Sequence, residues 1–501
     1  MTNQEKWKRL STILDEAEAY GRAIGKLNFD MECCAPEEGM EQAGDDMALL
    51  GKHIHALTHS PEYAALVGEL HADGEGLSFA QRKTVEHLWE RYEKEKNLTE
   101  EFDHAWSVAA NRAYGKWLTA KKASDFSLFR DSLAEVVDFT RKAIDLRDEK
   151  PATYYNACLD DTEKGGSEAQ MDAFFGALKE RIVPLMRRIQ AEGKPIREDF
   201  LTRSCPIPEQ ERFSHYLLEA EGLRKSALVL MTTEHPFTTE FGPHDVRVTT
   251  HYFEDNFISN IFSTLHEGGH ALFMQNEPEE FWREHTAGSM SNAMHECISR
   301  FYENIIGRSE AFIHFVYPKL QEISGDTFSD VSERELYEAV NIARPSLIRT
   351  EADELTYSLH ILIRYELEKL MLNGEITVDE IPVLWNAKYK EYLGLDVPDD
   401  AQGCLQDVHW TQSYGYFPSY ALGSAYGAQI LAAMEKDFDV FAAVREGKLT
   451  AVRDWLKEHV FSIASVSTPD EWIRAITGEP LDPDYFLTYL ERKYSALYEL
   501  K

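Results

Sequence analysis

FISNIFSTLHEGGHALFM, residues 257–274, sets Ile258, Ile261, Phe262, Leu265, Leu272 and Phe273 three or four positions apart. That interval is the period of a helix with one apolar face. His266 and His270, four apart, therefore project from one side of it, about 5.4 Å from each other along the axis. Two imidazoles so placed suit a single metal ion, and Glu267 between them can take a proton from water polarised by that ion. The H-E-x-x-H pattern is among the more specific short peptidase signals. Gly268 and Gly269 each cost about 1 kcal/mol in a helix interior relative to alanine, so a peptide substrate or a packed helix is expected to approach the backbone there. His55 and His59 serve as an internal control. They share the spacing, but KHIHALTHS has no Glu between the histidines and no apolar stripe, and it reads as surface.

A catalytic zinc takes three protein ligands and leaves a fourth position for water, so a third ligand is expected on a separate element. Glu296 is the candidate, 26 residues beyond His270, on a second helical stretch marked by Met290, Met294, Cys297, Phe301 and Ile305. A loop rich in Glu, Gly and Ser joins the two helices and could bring them together antiparallel. His295 is the rival ligand and Cys297 a weaker one.

Outward from this pair of helices the chain is mostly helical in pattern, with apolar residues every three or four positions through Trp7–Ala23, Phe79–Leu98, Asp125–Leu146 and Ile361–Leu372. Breaks are expected at Gly165-Gly166, around Pro206–Pro208, at His235–Pro243 and at Val397–Gly403. The one clear strand signal is Asp245–Phe253, so a mainly α protein with one small sheet is expected. At 501 residues a single simple core is too small a plan, and two domains or one large domain with two lobes should result.

The charge is strongly negative: 52 Lys+Arg against 87 Asp+Glu give −35. Such a surface repels phosphate backbones, and nucleic acid is not expected as a partner. The amino-terminal MTNQEKWKRLSTILDEAEAY has the alternation of an amphipathic helix rather than a secretory signal, and no uncharged apolar run approaches the roughly 20 residues that span a bilayer. No membrane partner and a cytoplasmic location are the expectation. Cys33, Cys34, Cys158, Cys205, Cys297 and Cys404 show no C-x-x-C pairing, which fits reduced thiols.

Six short motifs then occur in one order: His235-Pro236-Phe237, Asp245-Val246-Arg247-Val248-Thr249, His266–His270, His295-Glu296, Ile348-Arg349-Thr350-Glu351-Ala352-Asp353, and Gly403–Trp410. Together they make the chain resemble the carboxypeptidase Taq family of zinc metallocarboxypeptidases over nearly its whole length. One departure is Cys297-Ile298, where the family continues H-E-S; this bears on the surroundings of Glu296. The resemblance implies one helical catalytic domain over residues 1–501, with an N-terminal lobe of about 1–200, the zinc site and substrate motifs at about 230–425, a deep groove between two lobes, and a homodimer. It also implies release of single C-terminal residues from peptides with broad specificity. His266, His270 and Glu296 carry over as ligands of one zinc, for which cobalt could substitute, and Glu267 as the general base.

A carboxypeptidase must recognise a terminal carboxylate, and the planar fork of arginine suits both oxygens. Arg349 is the expected partner, against the alternative of an i,i+4 ion pair with Asp353; Arg247 and Arg344 are further choices. His409 and Tyr420 are the expected oxyanion donors, with Tyr414 and Tyr416 as rivals. His235 precedes the strand signal and Arg247 lies within it, where an extended peptide could pair with an exposed edge; the resemblance assigns both motifs to the wall or closed end of the groove, so both are read as substrate-binding. Two other functions fit the same residues: an oligopeptide endopeptidase, and an inactive peptide-binding homologue, which the presence of Glu267 opposes.

Overall fold

The computed structural model describes residues 1–501 and contains twenty-one α-helices with one three-stranded sheet. Strands β1 (Leu228–Thr232), β2 (Thr238–Glu240) and β3 (Val246–Thr250) lie in the order β1-β3-β2, with β3 parallel to β1 and antiparallel to β2. The strand expected over 245–253 is shorter at both ends. Past Thr250 the chain leaves the sheet because its carbonyls find other donors: Gln210 Nε2 reaches Phe253 O at 2.7 Å, and Cys205 N reaches Glu254 O at 2.7 Å. β3 is also central rather than an edge, with neighbours on both sides. Its backbone cannot receive a peptide, and β2 holds the unpaired edge next to the metal-binding segment.

That segment forms the HEGGH helix, Phe257–Asn276, whose first turn is capped by Asn256 accepting from Ser259 N. Val246 and Val248 of β3 are fully buried, and the strand packs against this helix. The Glu296 helix, Asn292–Arg300, lies on its other side and is itself covered by the Tyr420 helix, Phe417–Met434. Glycines line both seams. A Cβ on Gly269 would stand 2.8 Å from Ile298 O and from Ser299 Cα, and a Cβ on Gly423 would stand 3.0 Å from Glu296 Cγ. A Cβ on Gly268 would collide with Glu221 Oε2 and lie 2.8 Å from its Cδ. Packed protein, not substrate, is therefore what approaches the two glycines of the motif.

The main core extends from Ala113 to Tyr498. A separate small core joins α1 (Asn3–Cys33), α3 (Pro61–Ala72) and α4 (Phe79–Glu95) through Trp7, Leu10, Leu66, Val67 and Val85. α2 (Met40–Thr58) lies along α1 and buries none of its residues. This N-terminal unit meets the sheet where Phe29 packs edge-on against Phe237 and Lys26 pairs with Asp245 at 3.2 Å. His285, at φ +59°, ties a loop ahead of the Glu296 helix to α1 through Glu18 (2.6 Å) and Ser11 (2.9 Å). His55 and His59 stack on each other at an exposed position. All six cysteines are free, and no helix is long and apolar enough to cross a membrane.

Candidate active site and metal centre

His266, His270 and Glu296 converge, with one ligand atom from each within 4.8 Å of the others. Glu296 Oε2 stands 3.7 Å from His266 Nε2 and 3.4 Å from His270 Nε2. Two donors bound at about 2.0–2.2 Å to a tetrahedral ion stand roughly 3.4 Å apart, so Glu296 already stands close to ligand spacing from both imidazoles. Their outer nitrogens and oxygens are also occupied, which fixes the rings. His266 Nδ1 meets Glu303 Oε2 at 2.8 Å, and His270 Nδ1 meets His295 Nδ1 at 2.6 Å. His295 thus supports His270 from behind. Cys297 is wholly buried in the packing around the Tyr420 helix.

Arg300 links the two carboxylates, donating to Glu296 Oε1 at 2.8 Å and to Glu303 Oε2 at 3.3 Å. Burial alone would raise the pKa of both acids. The neighbouring imidazoles and Arg300 more than reverse this, holding Glu303 at about 2 and Glu296 well below the usual carboxylate range. Burial likewise disfavours the charged form of His266, but Glu296 and Glu303 outweigh it and lift its pKa to about 9 in the metal-free protein.

Glu267 is buried on the same helix, and Thr238 at the start of β2 donates its hydroxyl to Glu267 Oε2 at 2.7 Å. The sheet therefore sets the carboxylate's rotamer. His409 Nε2 and Tyr420 OH are 3.2 Å apart. Burial, with Arg349 and Arg364 adding to it against Asp407, holds His409 down at about 4, so its ring is neutral at pH 7. Tyr416 packs against Tyr420 at 5.3 Å between ring centroids, whereas Tyr414 is buried with its hydroxyl on Trp410 O.

Arg349 does not pair with Asp353. Residues 349–351 form a 3-10 turn rather than part of an α-helix, and Asp353 accepts instead from Leu355 N, Thr356 N and Arg344 N. Arg349 turns to Asp407 (Nε to Oδ1, 2.9 Å) and to Tyr357 OH (2.9 Å), with its guanidinium 5.0 Å from the Tyr420 ring. Arg364 takes the other oxygen of Asp407 at 2.6 Å. Two buried guanidiniums thus share one carboxylate, leaving an excess positive charge beside Tyr420. Arg300 also lies over the Tyr357 ring at 4.0 Å, so Tyr357 joins the metal ligands to Arg349.

His235 is exposed, and no side-chain partner holds it. Arg247 pairs with Asp245 at 2.9 Å and lies over Phe29 and Phe241, where it helps seat α1. Arg344 is exposed and bound to Glu198. Sequence reasoning missed Glu303, Arg300, Tyr357, Asp407 and Thr238. Glu296, Arg300 and Glu303 are spaced i, i+4, i+7, one helix face, and that pattern was the available signal.

A helical body with two histidines and a glutamate converging beside a buried acid defines a metallopeptidase. The family model for the carboxypeptidase Taq (M32) metallopeptidases matches residues 9–494. Carboxypeptidase 1 of Bacillus subtilis is 38% identical over 497 residues, covering 98% of this chain and 99% of its own. Thermostable carboxypeptidase 1 of Thermus thermophilus is 34% identical over 515 residues, covering 99% and 100%. The crystal structure of the M32 carboxypeptidase from Deinococcus radiodurans superposes with a TM-score of 0.95 at 32% identity, over 99% of this chain and all of that one. The chain belongs to the carboxypeptidase Taq (M32) metallopeptidase family. It is a metallocarboxypeptidase, a peptide hydrolase that depends on a divalent metal.

Proposed function

We propose that this enzyme is a zinc carboxypeptidase that releases single residues, with broad specificity, from the free C-termini of peptides. The observation that carries the reading is the convergence of His266, His270 and Glu296 beside a buried Glu267, with the excess charge of Arg349 and Arg364 nearby. His266, His270 and Glu296 hold one ion; cobalt suits the same donors. When bound, the ion supplies Lewis acidity to the carbonyl and lowers the pKa of water.

Glu267, oriented by Thr238, takes the proton of the attacking water and passes it to the leaving amine. His409 donates to Tyr420 OH, which frees the tyrosine hydrogen for the carbonyl oxygen as charge develops there. Arg349 keeps one Nη without a partner after serving Asp407 and Tyr357, and in this reading it receives the terminal carboxylate. That contact sets which peptide bond meets Glu267. We assign His235 and Arg247 to the groove wall, since Arg247 is already engaged by Asp245.

The whole of 1–501 acts as one catalytic domain, as a homodimer in the cytoplasm. Mass spectrometry of a mixed peptide set after incubation with the zinc-loaded protein tests the activity. Ladders shortened one residue at a time from the C-terminus are expected, and internal cuts would make the enzyme an endopeptidase.

A further inference from the structure

A cavity of about 470 Å³ lies against the Tyr420 helix, and none of the metal-cluster residues lines it. Met171, Phe174, Leu422, Tyr426, Ile473 and Leu481 give it an apolar wall; Glu163 and Asp470 give it two acids, the second paired with Arg474, and Lys164 gives it one base. The size falls within the roughly 300–1,000 Å³ of small-molecule pockets.

Glu163 is 2% exposed. Its Oε1 accepts from Ala293 N at 2.6 Å and from Ser419 Oγ at 2.9 Å. Its Oε2 is buried and has no partner. A buried acceptor left without a partner is destabilising, more so when it is charged, and a cationic donor would remove that penalty. Burial pushes the Glu163 carboxyl up to about 7 against the hydrogen bonds it receives. Lys164 is held loosely: its Nζ is 3.5 Å from Asp160 and 3.7 Å from Glu90, and its side chain is 42% exposed. Both pairs are long, so Lys164 can exchange them for an anion at the cavity it lines.

We propose that this cavity binds a free amino acid with an apolar or aromatic side chain, its ammonium on Glu163, its carboxylate on Lys164 and its side chain among Phe174, Leu422 and Ile473. The identity of the ligand rests on the carboxypeptidase reading, because such amino acids are what the enzyme liberates. The location gives the site a regulatory use. Glu163 tethers Ala293, three residues before Glu296, and Ser419, next to Tyr420, so a ligand on Glu163 pulls on the starts of both catalytic helices. Bound product would lower turnover without competing for the groove.

Calorimetric titration of L-phenylalanine into the metal-loaded, full-length protein tests this, with Arg349→Ala used to weaken product binding in the groove. Saturable binding should persist in Arg349→Ala and fall at least tenfold in its combinations with Leu481→Trp or with Ala173→Trp, which fill the cavity from partly exposed and exposed positions. N-acetyl-phenylalanine and phenylalaninamide, each lacking one charge, should bind at least tenfold more weakly in Arg349→Ala. Glu163→Gln should lose the ammonium while keeping a carbonyl for Ala293 and Ser419. Thermal melting confirms that the tryptophan variants fold, and peptide turnover by the protein with Arg349 intact reports separately on the carboxypeptidase reading. No binding in Arg349→Ala, or binding that neither tryptophan alters, overturns the proposal.

Discussion

Glu221 and Gly268 are in direct contact: the buried carboxyl fills the space that a side chain at position 268 would need. Neither oxygen of Glu221 has a hydrogen-bond partner, and burial pushes the pKa of the acid well above the usual carboxylate range. Gly268→Ala should therefore destabilise by about 1–3 kcal/mol through overpacking and shift the HEGGH helix enough to weaken metal binding. Glu221→Ala should rescue part of both losses. A double-mutant cycle by chemical denaturation should give a coupling of about 0.5–3 kcal/mol, and strict additivity would show that the contact does not hold the helix.

The ligand set and its supports should separate by degree. His266→Ala, His270→Ala and Glu296→Ala should each lose metal and activity together, as elemental analysis and peptide assay would show. Glu303→Gln removes only the partner of His266 Nδ1, and its metal affinity should fall about 10–100-fold. Full metal occupancy in Glu296→Ala would move the third-ligand role elsewhere.

Glu267 should behave differently, because the role proposed for it is to move protons and not to hold the ion. Glu267→Gln should keep the metal and lose roughly 10²–10⁴-fold in kcat. Thr238→Ala, which frees the carboxylate to rotate, should lower kcat less and leave metal content unchanged. Near-normal turnover in Glu267→Gln would take the residue out of the mechanism.

Metal affinity should depend steeply on pH. His266 binds the ion only when deprotonated, yet in the metal-free protein Glu296 and Glu303 overcome burial and hold its pKa near 9. Protons therefore compete at every pH below that value, and apparent affinity should rise about tenfold per pH unit from 6.5 to 8.5. The stability of the metal-free form should run the opposite way. A raised pKa stabilises fully below about 6.5, the unfolded value, and that contribution is lost as pH climbs through 9. Metal titrations in buffers across that range would reveal a flat profile if His266 were already neutral.

Arg349→Ala should cut kcat/KM for free-acid peptides sharply, since a charge-assisted pair contributes about 1.5–3 kcal/mol and also sets register. Arg349→Lys should recover part of this. Peptides with C-terminal amides should be poor substrates that the substitution barely changes. Equal losses on both classes, with a lowered melting temperature, would mean that Arg349 serves only to hold Asp407 and Tyr357.

The helices and the convergence of the ligand histidines were legible because both depend on local period: apolar residues every third or fourth position, and two imidazoles on one turn. The length of β3 was not, since Phe253 and Glu254 leave the sheet for donors at Gln210 and Cys205, some forty-five residues upstream. Its central place was hidden for the same reason, as β1 and β2 must both be in position before β3 has neighbours. Arg349 shows the limit most clearly. Asp353, four residues away, was the alternative partner that helical spacing offered, but a 3-10 turn breaks that spacing and gives the arginine to Asp407, 58 residues on. Glycines 268 and 269 announced a close approach without saying by what, and only the packing of Glu221 and Ser299 answers that.

The pairing of two guanidiniums with one aspartate also bears on how substrates arrive. The chain carries −35 overall, so its outer field repels an anionic peptide terminus during diffusion, within a Debye length of about 8 Å at physiological salt. The surplus positive charge at Arg349 and Arg364 is buried and is felt at short range. With Arg349 receiving the terminus as proposed, encounter and recognition would be divided between opposite fields: the surface would slow acidic peptides and admit neutral or basic ones, and selection for a free carboxylate would wait until the terminus reached the arginines. Added salt should then hasten the capture of acidic peptides while leaving their grip on the arginines nearly intact.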